Sequence, residues 1–291
     1  MKVYVETYGC ALNKADASLM KALLLNGGHE VVDNLKEAEA ILVNTCTVRK
    51  DSEERVLRRL RDLSRNLSGR KLIIAGCMVS TQPYTLKQVA PTASLISPQN
   101  IAKIVDVVES QNVENLIIGI RDTSHLPCNV EGRVASIPIA EGCVGNCAYC
   151  IVKLARRKLT SYKPELIVKS VREAVSKGAA EIELTAQDTA AYGIDLGGIN
   201  LAKLIKKIVD EVEGNYMIRV GMANPNTLKP ILDNIIEILK EPKVFKYIHI
   251  PLQSGDDKVL KIMKREYTVD EFVSTVKELR KKIPGITIAT D

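Results

Sequence analysis

The sequence of 291 residues contains no tryptophan and only two phenylalanines. A surface of stacked aromatic rings is therefore not evident, although nine tyrosines remain. No apolar run approaches the roughly 18 residues that a membrane-spanning helix needs. The opening residues MKVYVE indicate a strand and not a signal peptide. We therefore expect a cytoplasmic protein with no membrane partner.

Histidine is also scarce, with three residues in the chain. The net charge of +6 is mildly basic; it permits a polyanionic partner but does not require one. Apolar residues make up 46% of the chain and charged residues 26%, as in ordinary globular proteins. A chain of this length most often forms about two domains.

Seven cysteines is an unusual number for such a chain. An odd count in a protein without export signals argues against a disulfide framework. We therefore expect reduced thiols, some of which act as metal ligands.

The first half of the sequence alternates strand and helix patterns. The predicted strands are Val3–Tyr8, Glu30–Val32, Ile41–Thr45, Leu72–Ala75, Leu95–Ile96 and Leu116–Ile120. The predicted helices are Asn13–Asn26, Asp51–Leu67, Thr81–Val89 and Ile101–Glu109. Buried strands that alternate with helices indicate a parallel sheet. We predict a flavodoxin-like open α/β domain over residues 1–120, followed by a polar linker at 121–134.

The second half, residues 135–291, restarts the alternation with about five βα units. Its predicted strands are Ile137–Ala140, Glu181–Thr185, Met217–Val220, Tyr247–Ile250 and Ile286–Ala289. Its predicted helices are Pro164–Lys177, Leu201–Val212, Thr227–Leu239, Asp257–Lys264 and Asp270–Lys281. This succession predicts a partial (β/α) barrel with its site at the strand carboxyl ends. Because the chain stops at a strand tip, we expect a barrel truncated at its C-terminus.

Three cysteines, Cys143, Cys147 and Cys150, lie within eight residues of each other. A 4Fe–4S cluster commonly takes four thiolates, so three ligands leave one iron open. Structural zinc requires four ligands, and no fourth cysteine or histidine lies nearby in the sequence. A redox pair of Cys147 with Cys150 leaves Cys143 unexplained. The spacing therefore favours an iron–sulfur site.

Another three cysteines, Cys10, Cys46 and Cys77, each follow a predicted strand by one or two residues. In an open parallel sheet these strand ends face one crevice. A lone buried cysteine is usually just a small apolar residue. The repeated placement, with glycine before Cys10 and Cys77, instead favours a second metal site, again with one iron open.

The CxxxCxxC spacing after the first barrel strand resembles the radical S-adenosylmethionine (SAM) superfamily. The resemblance implies that the open iron chelates the amine and carboxylate of SAM. Reduction then cleaves the sulfonium and yields a 5′-deoxyadenosyl radical. Tyr149, just before the last cysteine, would either lie near the adenine or simply pack the loop.

Both cysteine groups together resemble the methylthiotransferases. The matching stretches are TYGCALN at 7–13, VNTCTV at 43–48, AGC at 75–77, GCVGNCAYCI at 142–151, LTAQDT at 184–189, HIPLQSG at 249–255 and MKR at 263–265. AQDTAAYG at 186–193 and RVGM at 219–222 resemble the archaeal and eukaryotic branch. That branch acts on N6-threonylcarbamoyladenosine next to the tRNA anticodon.

This resemblance implies two 4Fe–4S clusters and two SAM molecules per turnover. One cluster makes the radical, and the other holds the sulfur that is delivered, with a methyl group, to carbon 2 of the adenine. The partners would be the tRNA anticodon stem-loop and an electron donor. Gln187, Asp188 and Gln253, at barrel strand ends, would contact SAM. Arg219 would pair with the SAM carboxylate or form a salt bridge.

Members of the family usually continue into the remaining barrel and a C-terminal β domain that grips tRNA, and we expect this chain to lack both. Cys128 matches no ligand role, and we interpret it as an incidental thiol. The basic segment KLARRK at 153–158 would either contact tRNA phosphates or form a solvated loop.

Two other functions stay open from the sequence. The substrate could be another nucleoside, such as isopentenyladenosine, or a protein side chain. Alternatively, the chain could be a non-catalytic iron–sulfur redox protein, which predicts fully ligated clusters and not two sets of three thiols.

Overall fold

The computed structural model describes residues 1–48, 50–126 and 130–291. Cys128 and residues 127–129 of the expected linker lie outside these ranges. The chain divides into two compact units. The N-terminal unit contains the described residues before Val130 together with Ile151–Arg157, and the barrel unit contains Val130–Cys150 and Lys158–Asp291.

A six-stranded sheet forms the centre of the N-terminal unit. Its strands are β1 (Lys2–Thr7), β2 (Glu30–Val32), β3 (Ala40–Thr45), β4 (Lys71–Gly76), β5 (Ser94–Ile96) and β6 (Asn115–Leu116). Their spatial order is β2-β1-β3-β4-β5-β6, and every neighbouring pair is parallel. This is the flavodoxin-like order that the sequence predicts.

Helices cover both faces of this sheet. They are α1 (Ala11–Asn26), α2 (Lys50–Arg65), α3 (Cys77–Thr81), α4 (Pro83–Val89), α5 (Ile104–Glu109) and α6 (Val152–Arg156). Leu24 of α1 packs with Ile104 of α5 on one face, whereas Leu60 of α2 packs with Leu86 of α4 on the other. This two-sided cover buries every residue of β3, as its unbroken apolar run predicts.

Two predicted elements of this unit have different bounds in the structure. The predicted helix Thr81–Val89 is two helices, because Pro83 occupies the first position of α4, where proline is favoured. The predicted strand Leu116–Ile120 ends at Leu116. The Asn100 side-chain amide donates to the carbonyls of Leu116 and Ile118, both at 3.1 Å. A side chain therefore takes the place of a neighbouring strand.

The barrel unit contains strands β7 to β14. These are β7 (Val130–Glu131), β8 (Val134–Pro138), β9 (Ala140–Glu141), β10 (Thr160–Ser161), β11 (Glu181–Thr185), β12 (Met217–Val220), β13 (Tyr247–His249) and β14 (Thr287–Ala289). Strands β8, β11 and β12 are parallel neighbours, as are β13 and β14. Parallel bridges join Ile218 to Val244 and Met222 to His249. The order β8-β11-β12-β13-β14 is that of the predicted partial barrel, and β7 adds an antiparallel strand within the expected linker.

The helices of the barrel unit alternate with these strands. They are α7 (Pro164–Ser176), α8 (Leu201–Glu211), α9 (Pro225–Leu228), α10 (Leu232–Ile238), α11 (Asp257–Ile262) and α12 (Val269–Lys282). The predicted helix Thr227–Leu239 is interrupted by the 3-10 turn Lys229–Ile231, because Pro230 lacks the N–H that a continuous helix needs. Within the described residues, no helix is both long and apolar enough to span a membrane.

Candidate functional site

The N-terminal thiol site consists of Cys10, Cys46 and Cys77. Cys46 and Cys77 directly follow β3 and β4, and Cys10 is the N-cap residue of α1, after β1. These three strands are neighbours in the sheet, so the cysteines lie at one edge, in the crevice where open parallel sheets bind ligands. All three thiols are free; Cys46 and Cys77 are buried, and Cys10 is exposed.

Two glycines allow the loops of this site to approach each other. Gly9 has φ +117°, and a Cβ there would lie 2.9 Å from the sulfur of Cys46. Gly76 has φ +95°, and a Cβ there would collide with the carbonyl of Thr45. Only glycine adopts such conformations freely. The glycines that precede Cys10 and Cys77 are therefore required by close packing around the thiols.

Asn13 and Asn44 connect the loops beneath these thiols. The Nδ2 of Asn13 donates to the carbonyls of Tyr8 at 2.9 Å and Thr45 at 2.8 Å. The Nδ2 of Asn44 donates to the carbonyl of Asn13 at 2.7 Å. Among the described residues, the buried Oδ1 of Asn44 has no hydrogen-bond partner. Both asparagines thus belong to the thiol site.

A buried charge network adjoins Asn13. Arg156 of α6 pairs with Asp16 at 2.6 Å and donates to the Oδ1 of Asn13 at 2.6 Å. Arg121 pairs with the other oxygen of Asp16 at 3.0 Å. The sequence placed Arg156 in a basic segment for tRNA phosphates or solvent, but its side chain is 1% exposed. Arg156 is thus an internal residue, while Arg157 and Lys158 remain exposed.

The electrostatics of the site depend on burial. Burial raises the pKa of the Cys77 thiol to about 11, and the neighbouring Arg156 opposes that rise. A buried thiol therefore stays protonated until a metal displaces the proton. The Cys77 sulfur lies 3.6 Å from the Asn13 Oδ1, which is its hydrogen-bond acceptor.

Among the described residues, no three cysteine, histidine or carboxylate side chains lie close enough to hold a single metal ion. A 4Fe–4S cluster instead binds each thiolate at a different iron. The donor chemistry of three cysteines is that of a cluster with one open iron.

The second thiol group, called here the Cys143 loop, comprises Cys143, Cys147 and Cys150, all half-buried and free. The backbone N–H of Gly145 donates to the Cys143 sulfur at 3.2 Å. A Cβ at Gly145 would lie 3.3 Å from the Cys143 sulfur and 3.8 Å from that of Cys147. The two sulfurs therefore share one side of the loop, as ligands of a common group would.

Arg265, which sequence reasoning did not select, contacts this loop. Its Nη1 donates to the Cys147 sulfur at 3.1 Å, and its Nη2 donates to the Asn224 Oδ1 at 2.6 Å. Its Nε donates to the Tyr267 hydroxyl at 3.0 Å. Its position in the MKR motif was the available signal, because no spacing rule predicts a contact over 118 positions.

Asp188, predicted as a SAM contact, is a buried hydrogen-bond acceptor beside Asn224. It is fully buried; its Oδ1 accepts from the backbone N–H groups of Ala190 and Asn224. Its Oδ2 accepts from the Thr227 hydroxyl at 2.7 Å. Burial raises the pKa of Asp188. Asp188 also borders the small cleft lined by Cys147, Asn224 and Arg265.

The other predicted SAM contacts lie in different surroundings. Tyr149 is 49% exposed on the Cys143 loop. The buried Oε1 of Gln187 has no hydrogen-bond partner among the described residues. Gln253 has φ +69°. Arg219 is ion-paired with Glu181 and with Glu183, which is the salt-bridge alternative that the sequence left open.

Comparison with known proteins identifies both halves of the chain. Residues 2–97 match the family described as "Uncharacterized protein family UPF0004", and residues 137–290 match the Radical SAM superfamily. A solved SAM methyltransferase, TsrM from Kitasatospora setae, has a TM-score of 0.71 over 99% of this chain and 66% of its own, at 14% identity. At that identity the likeness supports the fold alone.

Curated relatives are closer in sequence. A probable threonylcarbamoyladenosine tRNA methylthiotransferase of Pyrococcus horikoshii is 40% identical over all of this chain and 69% of its own length. One from Methanocaldococcus jannaschii is 41% identical over 68% of its length. The threonylcarbamoyladenosine tRNA methylthiotransferase of Drosophila melanogaster is 35% identical over 54% of its length.

The radical SAM match covers more than half of the chain, and this superfamily uses SAM and a 4Fe–4S cluster. The enzymes concerned are transferases. Because the relatives align with the whole of this chain, the match includes both the N-terminal unit and the barrel unit. The chain therefore belongs to the radical SAM methylthiotransferases, in their archaeal and eukaryotic threonylcarbamoyladenosine tRNA branch.

Proposed function

We propose that this chain contributes the catalytic units of an enzyme that adds a methylthio group to carbon 2 of N6-threonylcarbamoyladenosine in tRNA, next to the anticodon. The observation that carries the proposal is the pairing of two thiol triads, Cys10, Cys46 and Cys77 in one unit and the Cys143 loop in the other. Relatives named for this substrate at about two thirds coverage support the choice of nucleoside.

Each triad has a separate role. Cys143, Cys147 and Cys150 would hold the cluster that delivers an electron to SAM, and the N-terminal thiol site would hold the cluster that carries sulfur. Three thiols per site leave one iron open for SAM or for sulfur. A redox protein that only carries electrons has no need for an open iron, which is why we favour catalysis.

The chemistry requires two SAM molecules and a low-potential one-electron reductant. One SAM would give its methyl group to sulfur and leave as S-adenosylhomocysteine. One-electron reduction of the other would release methionine and a 5′-deoxyadenosyl radical, which would take the hydrogen atom from carbon 2 and leave as 5′-deoxyadenosine. The methylthio sulfur would then bond to carbon 2, and one electron would pass to the iron–sulfur group that held the sulfur. The electron donor and the anticodon stem-loop are accordingly the proposed partners, and the cytoplasm the proposed compartment.

The chain's own residues prepare the Cys143 loop for this task. Arg265 donates to the Cys147 sulfur, and the Asn224 side chain accepts from Arg265. Asp188 in turn accepts from the backbone N–H of Asn224. Tyr149 and Gln187 remain available for the adenine and methionine parts of SAM. We assign Gln253 the same role, since it lies in the segment that follows β13.

Mass spectrometry of tRNA nucleosides tests this function. Anaerobically reconstituted protein that contains this chain is incubated with unmethylthiolated tRNA, SAM and dithionite. We expect a methylthio product on threonylcarbamoyladenosine, which Cys10→Ala and Cys143→Ala each abolish. Product on isopentenyladenosine alone, or on a protein side chain, would contradict the substrate. SAM cleavage without any methylthio product would contradict the sulfur insertion.

A further inference from the structure

Arg156 is the most buried arginine near the N-terminal thiol site. Its short helix, α6, lies within the N-terminal unit, where the Gln99 side chain donates to the carbonyl of Ala155 at 3.0 Å. The guanidinium of Arg156 is 1% exposed and contacts both Asp16 and Asn13. Its position is therefore fixed from several directions.

The network lies away from water, because the side chains of Asp16, Arg121 and Arg156 are at most 4% exposed. In such surroundings a charge is screened less than at the surface and acts more strongly on its neighbours. The positive charge of Arg156 therefore acts on the groups next to Asn13.

Asn13 connects this network to the thiols. Its Oδ1 accepts from Arg156 at 2.6 Å and lies 3.6 Å from the Cys77 sulfur. Arg121 instead contacts the backbone carbonyl of Pro98 at 2.7 Å. Both arginines thus share Asp16, but the contact with Asn13 belongs to Arg156.

We propose that Arg156 is a positioning residue of the N-terminal thiol site, where it fixes Asn13 and offsets the negative charge of a thiolate-bound iron–sulfur group. This inference rests on the proposed function, because it assumes such a group at Cys10, Cys46 and Cys77. An arginine suits the role because it is always charged and its planar fork holds two acceptors together. A lysine would keep the positive charge but could not hold two acceptors with one planar group.

The test uses the full chain with Cys143, Cys147 and Cys150 all replaced by alanine, so that the N-terminal thiol site alone can hold a cluster. Into this parent we introduce Arg156→Met, Arg156→Lys and, as a matched control, Arg121→Met. Each methionine variant removes one guanidinium from Asp16, but the Arg121 variant leaves Asn13 untouched. Each protein is reconstituted with ferrous iron and sulfide, and iron retention against a chelator is measured.

We expect Arg156→Met to bind its iron roughly 10- to 100-fold more weakly than the parent, as for other partners of metal ligands. Arg121→Met should stay close to the parent, and Arg156→Lys should fall between them. Thermal unfolding of the iron-free proteins measures separately how much each substitution destabilises the fold. There the two methionine variants should lose similar stability, because each breaks one pair with Asp16.

Equal loss of iron from Arg121→Met and Arg156→Met would overturn the proposal, since the network would then be only structural. If Arg156→Met does not fold, Arg156→Lys decides: iron retention equal to the parent would overturn the proposal, and a several-fold loss would support it. A parent that binds no iron would overturn the second cluster of the proposed function, and the inference with it, before any arginine is changed.

Discussion

The guanidinium of Arg265 donates to the sulfur of Cys147 at 3.1 Å, although 118 positions separate the two residues. Asn224 and Tyr267 hold the same guanidinium, and the Tyr267 hydroxyl donates in turn to the carbonyl of Leu252 at 2.8 Å. A charged donor at a ligand sulfur stabilises the thiolate. Arg265 thus supports the Cys143 loop from a distant part of the chain.

Replacing Arg265 with methionine should weaken iron binding at the Cys143 loop roughly tenfold or more. The measurement is iron retention in a background with Cys10, Cys46 and Cys77 replaced by alanine. Arg219→Met is the control, because Arg219 pairs with Glu181 and Glu183 and not with a thiol. If both variants lose iron equally, the contact with Cys147 has no special role.

The two glycines at 69 and 76 provide a matched pair for stability. Both have positive φ, but a Cβ at Gly69 meets nothing within 4 Å, whereas one at Gly76 meets the Thr45 backbone. Gly69→Ala should cost about 1–2 kcal/mol of unfolding free energy from φ strain alone. Gly76→Ala should cost more than about 3 kcal/mol or prevent folding. Similar denaturation midpoints for the two variants would refute close packing around Cys77.

Arg157 offers a stabilising substitution. It follows α6 with φ +62° and ψ −137°, a conformation that side chains rarely adopt. Arg157→Gly should raise the free energy of unfolding by about 1–3 kcal/mol through release of this strain. Lys158→Gly is the control, since Lys158 is exposed and absent from the positive-φ residues. Denaturant titration measures the free energy of unfolding of both variants. A loss of stability in Arg157→Gly would show that the Arg157 side chain contributes more to stability than release of the backbone strain does.

Alkaline stability should depend on Tyr216. Burial raises the pKa of its phenol to about 12 from the ordinary 10.0, and its hydroxyl donates to the carbonyl of Val212 at 3.0 Å. An acid with a raised folded pKa contributes stability that is complete below pH 10.0 and is lost as the pH rises toward about 12.

The corresponding measurement is the denaturation midpoint between neutral pH and pH 12. The Tyr216→Phe protein should start from lower stability at neutral pH, because the hydrogen bond to Val212 is gone. Its midpoint should then decline less steeply above pH 10 than that of the unchanged protein, since one ionising group is gone. An unchanged slope would show that folding does not raise the pKa of Tyr216.

Much of the N-terminal thiol site could be predicted because its signals are local. Apolar strand-length runs precede Cys46 and Cys77 directly, and glycines mark the tight turns at Cys10 and Cys77. Strand order in an open parallel sheet then brings these ends together. The position of each cysteine next to a predicted strand, together with the strand order of an open parallel sheet, was sufficient to predict that the three lie at one edge of the sheet.

Long-range pairings could not be predicted in the same way. Arg156 lies in a basic run that is typical of an exposed segment, and its burial depends on Asp16 and Asn13, more than a hundred positions away. The sequence left Arg219 with two possible roles, a contact with the SAM carboxylate or a salt bridge. Its partners, Glu181 and Glu183, lie on a neighbouring strand and not next to it in the sequence. The register that places Glu183 opposite Arg219 becomes known only once the sheet has formed.

The account depends most on two clusters in one chain, and iron quantification after anaerobic reconstitution tests this directly. Two 4Fe–4S clusters predict about eight irons per chain. Each set of three cysteine-to-alanine changes, at Cys10, Cys46 and Cys77 or at the Cys143 loop, should leave about four. A chain that binds about four irons with all six thiols intact, and keeps them when Cys10, Cys46 and Cys77 are replaced, would contradict the account.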